Sequence, residues 1–229
     1  MKRMVLLIAC WAAGTLVTSG ADWYVATNGA PGDGHSWAAA FTNLQTALDA
    51  AVVNDTIYVA GHTFGVSVDL SWTGRASSVT VKGGYAVDGG TPGARDVLVW
   101  PTVLRRSGAG RLFTLQSVTN GTLDGVTLTG GNGVIGAGLY VNNSPNLLVA
   151  DCVISNNIAG WGQYGAGLYL TGPLSSCIVS NCLMSANQGT GNGAGGGAFY
   201  VDYQGGTPSL LCVNSVLRGN AIISSPASQ

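Results

Sequence analysis

The sequence contains no glutamate, because all ten of its acidic residues are aspartate, and only 8% of its 229 residues are charged. Glutamate is a favoured helix former, and ordinary globular proteins carry about 25% charged residues. The composition therefore argues against a helix bundle. The nine Lys and Arg residues are scattered, so the chain offers no basic footprint for nucleic acid.

Histidine is also scarce: only His35 and His62 occur, and no His or Cys pair has metal-ligand spacing. We therefore expect no metal and no cofactor. Glycine, in contrast, is abundant, with 36 residues, and 46% of the chain is hydrophobic. This excludes a disordered polar chain, and the lack of glycine at every third position excludes collagen.

The amino terminus is typical of an export signal. Two basic residues precede an apolar run over residues 4–17 and small residues at 19–21, which predicts a signal peptide over residues 1–21. The run is shorter than the roughly 20 residues of a membrane span. The alternatives are a membrane anchor and a lipid on Cys10. The expected mature chain, residues 22–229, has no transmembrane segment and is secreted or held at a cell surface.

The second half of the chain repeats a unit of about 30 residues. Similar segments begin 26, 30 and 33 residues apart, at Gly125, Asp151, Asn181 and Asn214. Between them lie GAGLYV, GAGLYL and GGAFYV, which begin at Gly136, Gly165 and Gly196. Each unit is thus predicted to contain two short strands.

The aligned residues predict how each unit folds. Gly, Asp and Asn tolerate a left-handed backbone, so we expect a tight bend at the first aligned position. Alternate positions around it should point inward, and a short strand, a bend and another strand, without helices, indicate a right-handed parallel β-helix, an all-β solenoid. A β-propeller blade would need more residues for its four strands. The predicted inward columns are Leu123, Val149, Val179 and Cys212; Val126, Cys152, Cys182 and Ser215; and Leu128, Ile154, Met184 and Leu217.

The first half is less regular. Apolar residues at helical spacing from Phe41 to Ala51 predict one short helix that caps the solenoid. We divide the domain into an amino-terminal cap over 22–65, irregular turns over 66–124 and regular repeats over 125–229. Predicted strands in this half cover 56–60, 66–70, 79–82, 97–99 and 112–115, and Gly83-Gly84, Gly89-Gly90 and Pro92-Gly93 are predicted turns.

Several motifs carry a family resemblance. DWYVATNGAPGDGHSW and VKGGYAVDGG resemble bacterial extracellular right-handed parallel β-helix proteins of the pectate-lyase-like fold. Glycine-rich turns ending in Asn, beside GAGLY and GGAFY, resemble the repeats of polymorphic outer membrane proteins. The resemblance covers residues 22–223 and implies a fold, whereas relatives by fold include lyases, hydrolases and adhesins.

An aromatic column provides the candidate site. Because Leu139, Leu168 and Phe199 should point inward, Tyr140, Tyr169 and Tyr200 should point outward on successive rungs, with Trp161, Tyr164 and Tyr203 in nearby turns. Such rings suit a sugar, and a ladder that only stabilises the strands is the alternative. We expect a non-catalytic recognition or adhesion module whose partner is a polysaccharide or a host or cell-surface glycan.

An enzyme and a structural stalk remain alternatives. Lyases and hydrolases need clustered carboxylates, and from Gly125 onward only Asp151, Asp202 and Arg218 are charged. A catalytic site would therefore need the first half, where Arg95-Asp96 and Arg105-Arg106 facing Asp124 offer a site for an acidic sugar. Solvated surface charges are the alternative there. Asp33 is a single, weak candidate calcium ligand.

The four mature cysteines allow two interpretations. Cys152 and Cys182 share a register within disulfide reach, although small core residues are the simpler interpretation for all four mature cysteines.

After Asn220 the repeat stops before another GAGLY-like strand. We therefore expect an incomplete last turn that either continues in a longer chain or associates with another copy.

Overall fold

The computed structural model describes residues 20–29, 32–74, 77–191, 193–203 and 206–223. The predicted signal peptide, apart from its last two residues, lies outside the described residues, as does the segment 224–229. The bounds of the single helix, α1, are Leu44–Ala50. The strands are β1 Asp22–Val25, β2 Thr56–Ala60, β3 Thr63–Val66, β4 Leu70–Thr73, β5 Thr80–Tyr85, β6 Thr102–Arg106, β7 Phe113–Gln116, β8 Thr122–Asp124, β9 Val126–Thr129, β10 Leu139–Asn142, β11 Leu147–Ala150, β12 Val153–Ser155, β13 Ile158–Trp161, β14 Leu168–Thr171, β15 Ser176–Ser180, β16 Leu183–Ser185, β17 Gln188–Thr190, β18 Phe199–Val201, β19 Ser209–Val213, β20 Val216–Arg218 and β21 Ala221–Ile223.

The strands form four parallel sheets that run along the solenoid. Sheet 1 has the order β1-β2-β5-β8-β11-β15-β19, and sheet 2 has the order β20-β16-β12-β9-β6-β3. Sheet 3 has the order β18-β14-β10-β7-β4, and the small sheet 4 has the order β13-β17-β21. From β2 to β18 the chain visits sheets 1, 2 and 3 in each turn, and the described part of the last turn, β19 to β21, visits sheets 1, 2 and 4. The fold is therefore the predicted right-handed parallel β-helix with a short helix, but its turns contain three or four strands instead of two.

The predicted bends and inward columns are confirmed. Asp151, Asn181 and Asn214 have φ values of 50°, 53° and 48°, and Gly125 has 71°. All four residues lie between a strand of sheet 1 and a strand of sheet 2. Residues of the first and third columns pair in register across the rungs. The inward residues up to Met184, with Cys212 packed against them, belong to one apolar core that continues to the amino-terminal cap, whereas Leu217 in the last rung is exposed.

The helix closes the apolar end of the solenoid, as predicted. Asn43 caps it, since its side-chain oxygen accepts a hydrogen bond from the backbone N–H of Thr46 at 3.0 Å. Leu44, Ala47 and Leu48 are buried against the first strands. Phe41 lies before the helix and bridges Val25 instead, so the helix begins three residues later than the apolar spacing indicated.

Three local predictions in the first half are wrong. Residues 66–70 form no single strand, because the chain turns between β3 and β4 at 67–69. Residues 97–99 form a turn, in which the Asp96 carboxylate accepts hydrogen bonds from the N–H groups of Leu98 and Val99. Gly83 and Gly84 lie inside β5, where Gly84 N–H donates to Thr102 Oγ1.

The four cysteines of the described chain are free. Cys152, Cys177 and Cys182 are buried, and burial raises the pKa of the Cys152 and Cys177 thiols. Cys182 Sγ accepts a hydrogen bond from Cys152 N–H at 3.4 Å, so these side chains take part in the contact between rungs. Free and largely buried thiols agree with the interpretation of these cysteines as small core residues. Among the described residues, no helix has the length and apolar character that a membrane span requires.

Candidate functional site

The tyrosines predicted to stack form a ladder on sheet 3. Tyr140 pairs with Tyr169 and Tyr169 with Tyr200 in the parallel register. The ring centroids are 5.5 and 5.7 Å apart, and the ring planes differ by 7° and 6°. The rings therefore stack on one another along three successive rungs, as the sequence predicts.

The faces of the ladder are largely occupied by its neighbours. The Arg111 guanidinium lies 4.1 Å from the Tyr140 ring centroid, and Tyr164 lies 4.6 Å from Tyr200. Tyr169, between its two neighbours, is only 6% exposed. Its position on the outer side of the sheet is as predicted, but its ring is not open to solvent. No repeated pattern in the sequence indicated that Arg111 would cover the Tyr140 ring.

Asp202 adds a carboxylate beside the ladder. Tyr169 Oη donates a hydrogen bond to Asp202 Oδ2 at 2.5 Å. Burial, followed by this hydrogen bond and the negative charge of Asp202, raises the pKa of Tyr169 above its usual range. Asp202 lies 33 residues from Tyr169, one rung away, and the sequence did not identify it as a partner.

A Tyr169→Phe substitution should therefore reduce stability in a pH-dependent way. At pH 7 we expect a loss of about 1.5 kcal/mol, since the hydrogen bond to a charged group is removed. The native state holds the phenol proton more tightly than the unfolded chain, so the advantage of the wild type persists below the unfolded pKa of about 10. Above it, that advantage should shrink by up to about 1.4 kcal/mol per pH unit. Urea unfolding from pH 7 to 11 measures it, and a constant difference would contradict it.

Trp161 and Tyr164 extend the aromatic surface next to the ladder. A Cβ added to Gly191 would lie 2.5 Å from the Trp161 ring, and one added to Gly195 would lie 2.8 Å from the Tyr164 ring. Each ring thus covers a glycine of the following rung. Trp161 is nevertheless 63% exposed, and Tyr203 is 66% exposed. We call the set of Tyr140, Trp161, Tyr164, Tyr169 and Tyr200 the aromatic surface.

A buried asparagine ladder supports the turns that carry this surface. Asn157 Nδ2 donates to Asn187 Oδ1 at 3.0 Å, and Asn187 Nδ2 donates to Asn220 Oδ1 at 2.9 Å. Asn157 and Asn187 are fully buried. Their recurrence after the bend was visible as part of the family resemblance, but its structural role was not predicted.

The charged residues of the first half do not gather into one basic cluster. Arg95 Nη2 is 2.5 Å from Asp124 Oδ1, whereas Arg106 Nη1 is 3.0 Å from Asp69 Oδ1. Arg105 is exposed. The Asp124 carboxylate in β8 thus pairs with Arg95, and the hypothesis that Arg105-Arg106 faces Asp124 is wrong because Arg106 pairs with Asp69.

The described residues contain no group of three or more His, Cys, Asp or Glu side chains that could hold a metal ion. Asp33, the candidate calcium ligand, accepts a hydrogen bond from the His35 N–H at 3.1 Å. This is a local turn contact two residues along the chain.

Comparison with protein families bears on the repeated rungs. Residues 102–225 match the family described as right handed beta helix region. The chain belongs to this right-handed β-helix family. The matched region begins at β6 and includes every strand of the aromatic surface. The comparisons with curated proteins and with solved structures returned no match. The polymorphic outer membrane repeat and the bacterial origin remain predictions.

Proposed function

We propose that this β-helix protein is a non-catalytic recognition module that binds a polysaccharide through its aromatic surface. The observation that carries the proposal is Trp161, whose ring covers Gly191 and still leaves 63% of the residue exposed. An exposed indole of this kind offers an apolar face to a sugar ring. Tyr164 and the Asp202 carboxylate lie on the same side of the repeats and supply hydrogen-bonding groups.

The distribution of carboxylates favours binding over catalysis. Glycoside hydrolysis commonly needs two carboxylates on either side of the scissile bond. Asp202 is the only acidic residue that follows Asp151 in the sequence. Asp151 lies at the bend between sheets 1 and 2, whereas the ladder lies on sheet 3. An enzyme of the same fold is the alternative, and it predicts new reducing ends or unsaturated products after incubation with acidic glycans.

Export is part of this proposal, because a polysaccharide ligand lies outside the cytoplasm. The basic, apolar and small-residue segments of residues 1–21 support it. The expected mature chain begins at Asp22. Amino-terminal sequencing of protein recovered from the medium or the cell surface tests this, and an uncleaved chain would contradict it.

Replacing Trp161 by alanine should weaken polysaccharide binding about tenfold, equivalent to ~1.4 kcal/mol, through loss of the stacking face. Affinity electrophoresis through gels containing pectin, alginate or a neutral glucan measures this as a change in retardation. Leu98→Ala is the matched control, since Leu98 is 89% exposed but lies in the loop between β5 and β6. Equal retardation of the wild type and Trp161→Ala, or product formation from any glycan, would contradict the proposal.

A further inference from the structure

The amino-terminal ends of two sheets are closed by the cap. Sheet 1 ends at β1, where Tyr24 N–H donates to Gly34 O at 2.7 Å and Ala26 N–H donates to Phe41 O at 2.9 Å. Sheet 3 ends at β4, where the Gln45 side chain bonds both the N–H and the C=O of Ser71, at 2.8 and 2.9 Å. The edge groups of these strands are therefore paired within the chain.

The corresponding end of sheet 2 is different. It ends at β3, which pairs with β6 on one side only. The carbonyls of His62 and Val66 accept hydrogen bonds from β6 and from Ser107, the residue after it, at 2.8 and 3.1 Å. Successive residues of a strand point their N–H and C=O groups to opposite sides, so those of Thr63 and Gly65 point away from β6. Within the described chain, these N–H and C=O groups have no hydrogen-bond partner.

A cavity of about 250 Å³ lies beside this edge, between β3 and the start of the helix. Apolar residues of the cap and of the core reach it, among them Leu44, Phe64, Leu70 and Leu104. Its other lining residues are uncharged, and a Cβ added to Gly65 would find no atom within 4 Å.

We propose that the free edge of β3 binds an extended segment of a second polypeptide as a further strand of sheet 2. The segment would run parallel to β3, because every strand pair in the sheets is parallel. The site continues the hydrogen-bonding interface of sheet 2 by one strand, which is how exposed sheet edges recognise peptides. The uncharged lining selects a segment without charges, whose alternate apolar side chains fill the cavity. This proposal is independent of glycan binding.

A peptide that copies residues 125–130, GVTLTG, is a suitable probe because it alternates apolar and uncharged polar residues and already forms a strand of sheet 2. Fluorescence anisotropy of the labelled peptide, titrated with the full chain, measures binding. Gly65→Pro removes the outward N–H, and proline is tolerated at edge strands in that position. We expect it to weaken binding at least tenfold. Gly65→Ala retains the N–H and should bind within about twofold of the wild type.

Hydrogen exchange of the wild type keeps the test independent of how the proline variant folds. Peptide binding should slow exchange at the Thr63 and Gly65 amides specifically. The proposal is overturned if the peptide does not bind the wild type, if folded Gly65→Pro binds it equally well, or if the protection appears away from β3. Protection at β3 together with loss of binding in Gly65→Pro supports it.

Discussion

Replacing Asn187 by leucine is expected to lower the free energy of unfolding by about 3 kcal/mol. The Asn187 side chain accepts hydrogen bonds from the backbone N–H and the Nδ2 of Asn157, at 3.2 and 3.0 Å. It also donates to the Ile154 carbonyl at 2.8 Å. Leucine would leave a buried N–H and a buried C=O without these partners, and each such group costs about 1–3 kcal/mol.

Denaturant unfolding followed by circular dichroism measures the change. Gln188→Leu is the matched control, since Gln188 is the next residue, carries the same amide group and is only half-buried. We expect the control to change stability by less than about 0.5 kcal/mol. Equal effects of the two substitutions would show that the asparagine ladder does not stabilise the turns.

Gly131→Ala is the second substitution with a large expected effect, again about 3 kcal/mol. An added Cβ would lie 1.8 Å from the Ala137 carbonyl oxygen, so the backbone must move. That movement would disturb the hydrogen bond from Gly131 N–H to Asn157 Oδ1, which is 2.9 Å long. The physical cause is close approach of two backbone segments, because Gly131 has no positive φ.

Gly65→Ala is the control for this substitution, since its Cβ meets no atom within 4 Å. Thermal unfolding of both variants should show a marked decrease in the midpoint for Gly131→Ala and a shift of a few degrees at most for Gly65→Ala. Similar midpoints would contradict the close packing inferred at Gly131.

The bends of the repeated half could be predicted because Gly, Asp or Asn, which tolerate a left-handed backbone, stands at the same position in each rung. Asp151, Asn181 and Asn214 all adopt the left-handed conformation that their side chains tolerate. Once these bends are aligned, the period-two pattern of a strand determines which residues point inward. Rung stacking then repeats the same columns in successive turns.

The first half could not be predicted in the same detail, because its turns are stabilised by single side-chain contacts. Val66 and Leu70 alternate with polar residues as in a strand, yet the chain turns between them, and Asp69 pairs with Arg106. The apolar residues after Asp96 suggested a strand, but its carboxylate holds them in a turn. Neither contact leaves a periodic pattern in the sequence.

The tyrosine ladder followed from the register, whereas its environment did not. Arg111 covers the Tyr140 ring, and Asp202 accepts a hydrogen bond from Tyr169. Both residues come from neighbouring rungs and have no repeated position in the sequence. The ring of Trp161 covers Gly191, a glycine of the following rung. Trp161, beside the ladder, is nevertheless the most exposed residue of the aromatic surface.

The most direct test of the proposed function is a fluorescence titration that follows Trp161. The titrant is a set of oligosaccharides prepared from the polysaccharide that slows the protein in affinity electrophoresis. Among the described tryptophans, only Trp161 is exposed. We expect a saturable change in its emission, which is lost in Trp161→Phe while the variant remains folded. A saturable change that persists in Trp161→Phe, or no change with any oligosaccharide, would contradict binding at the aromatic surface.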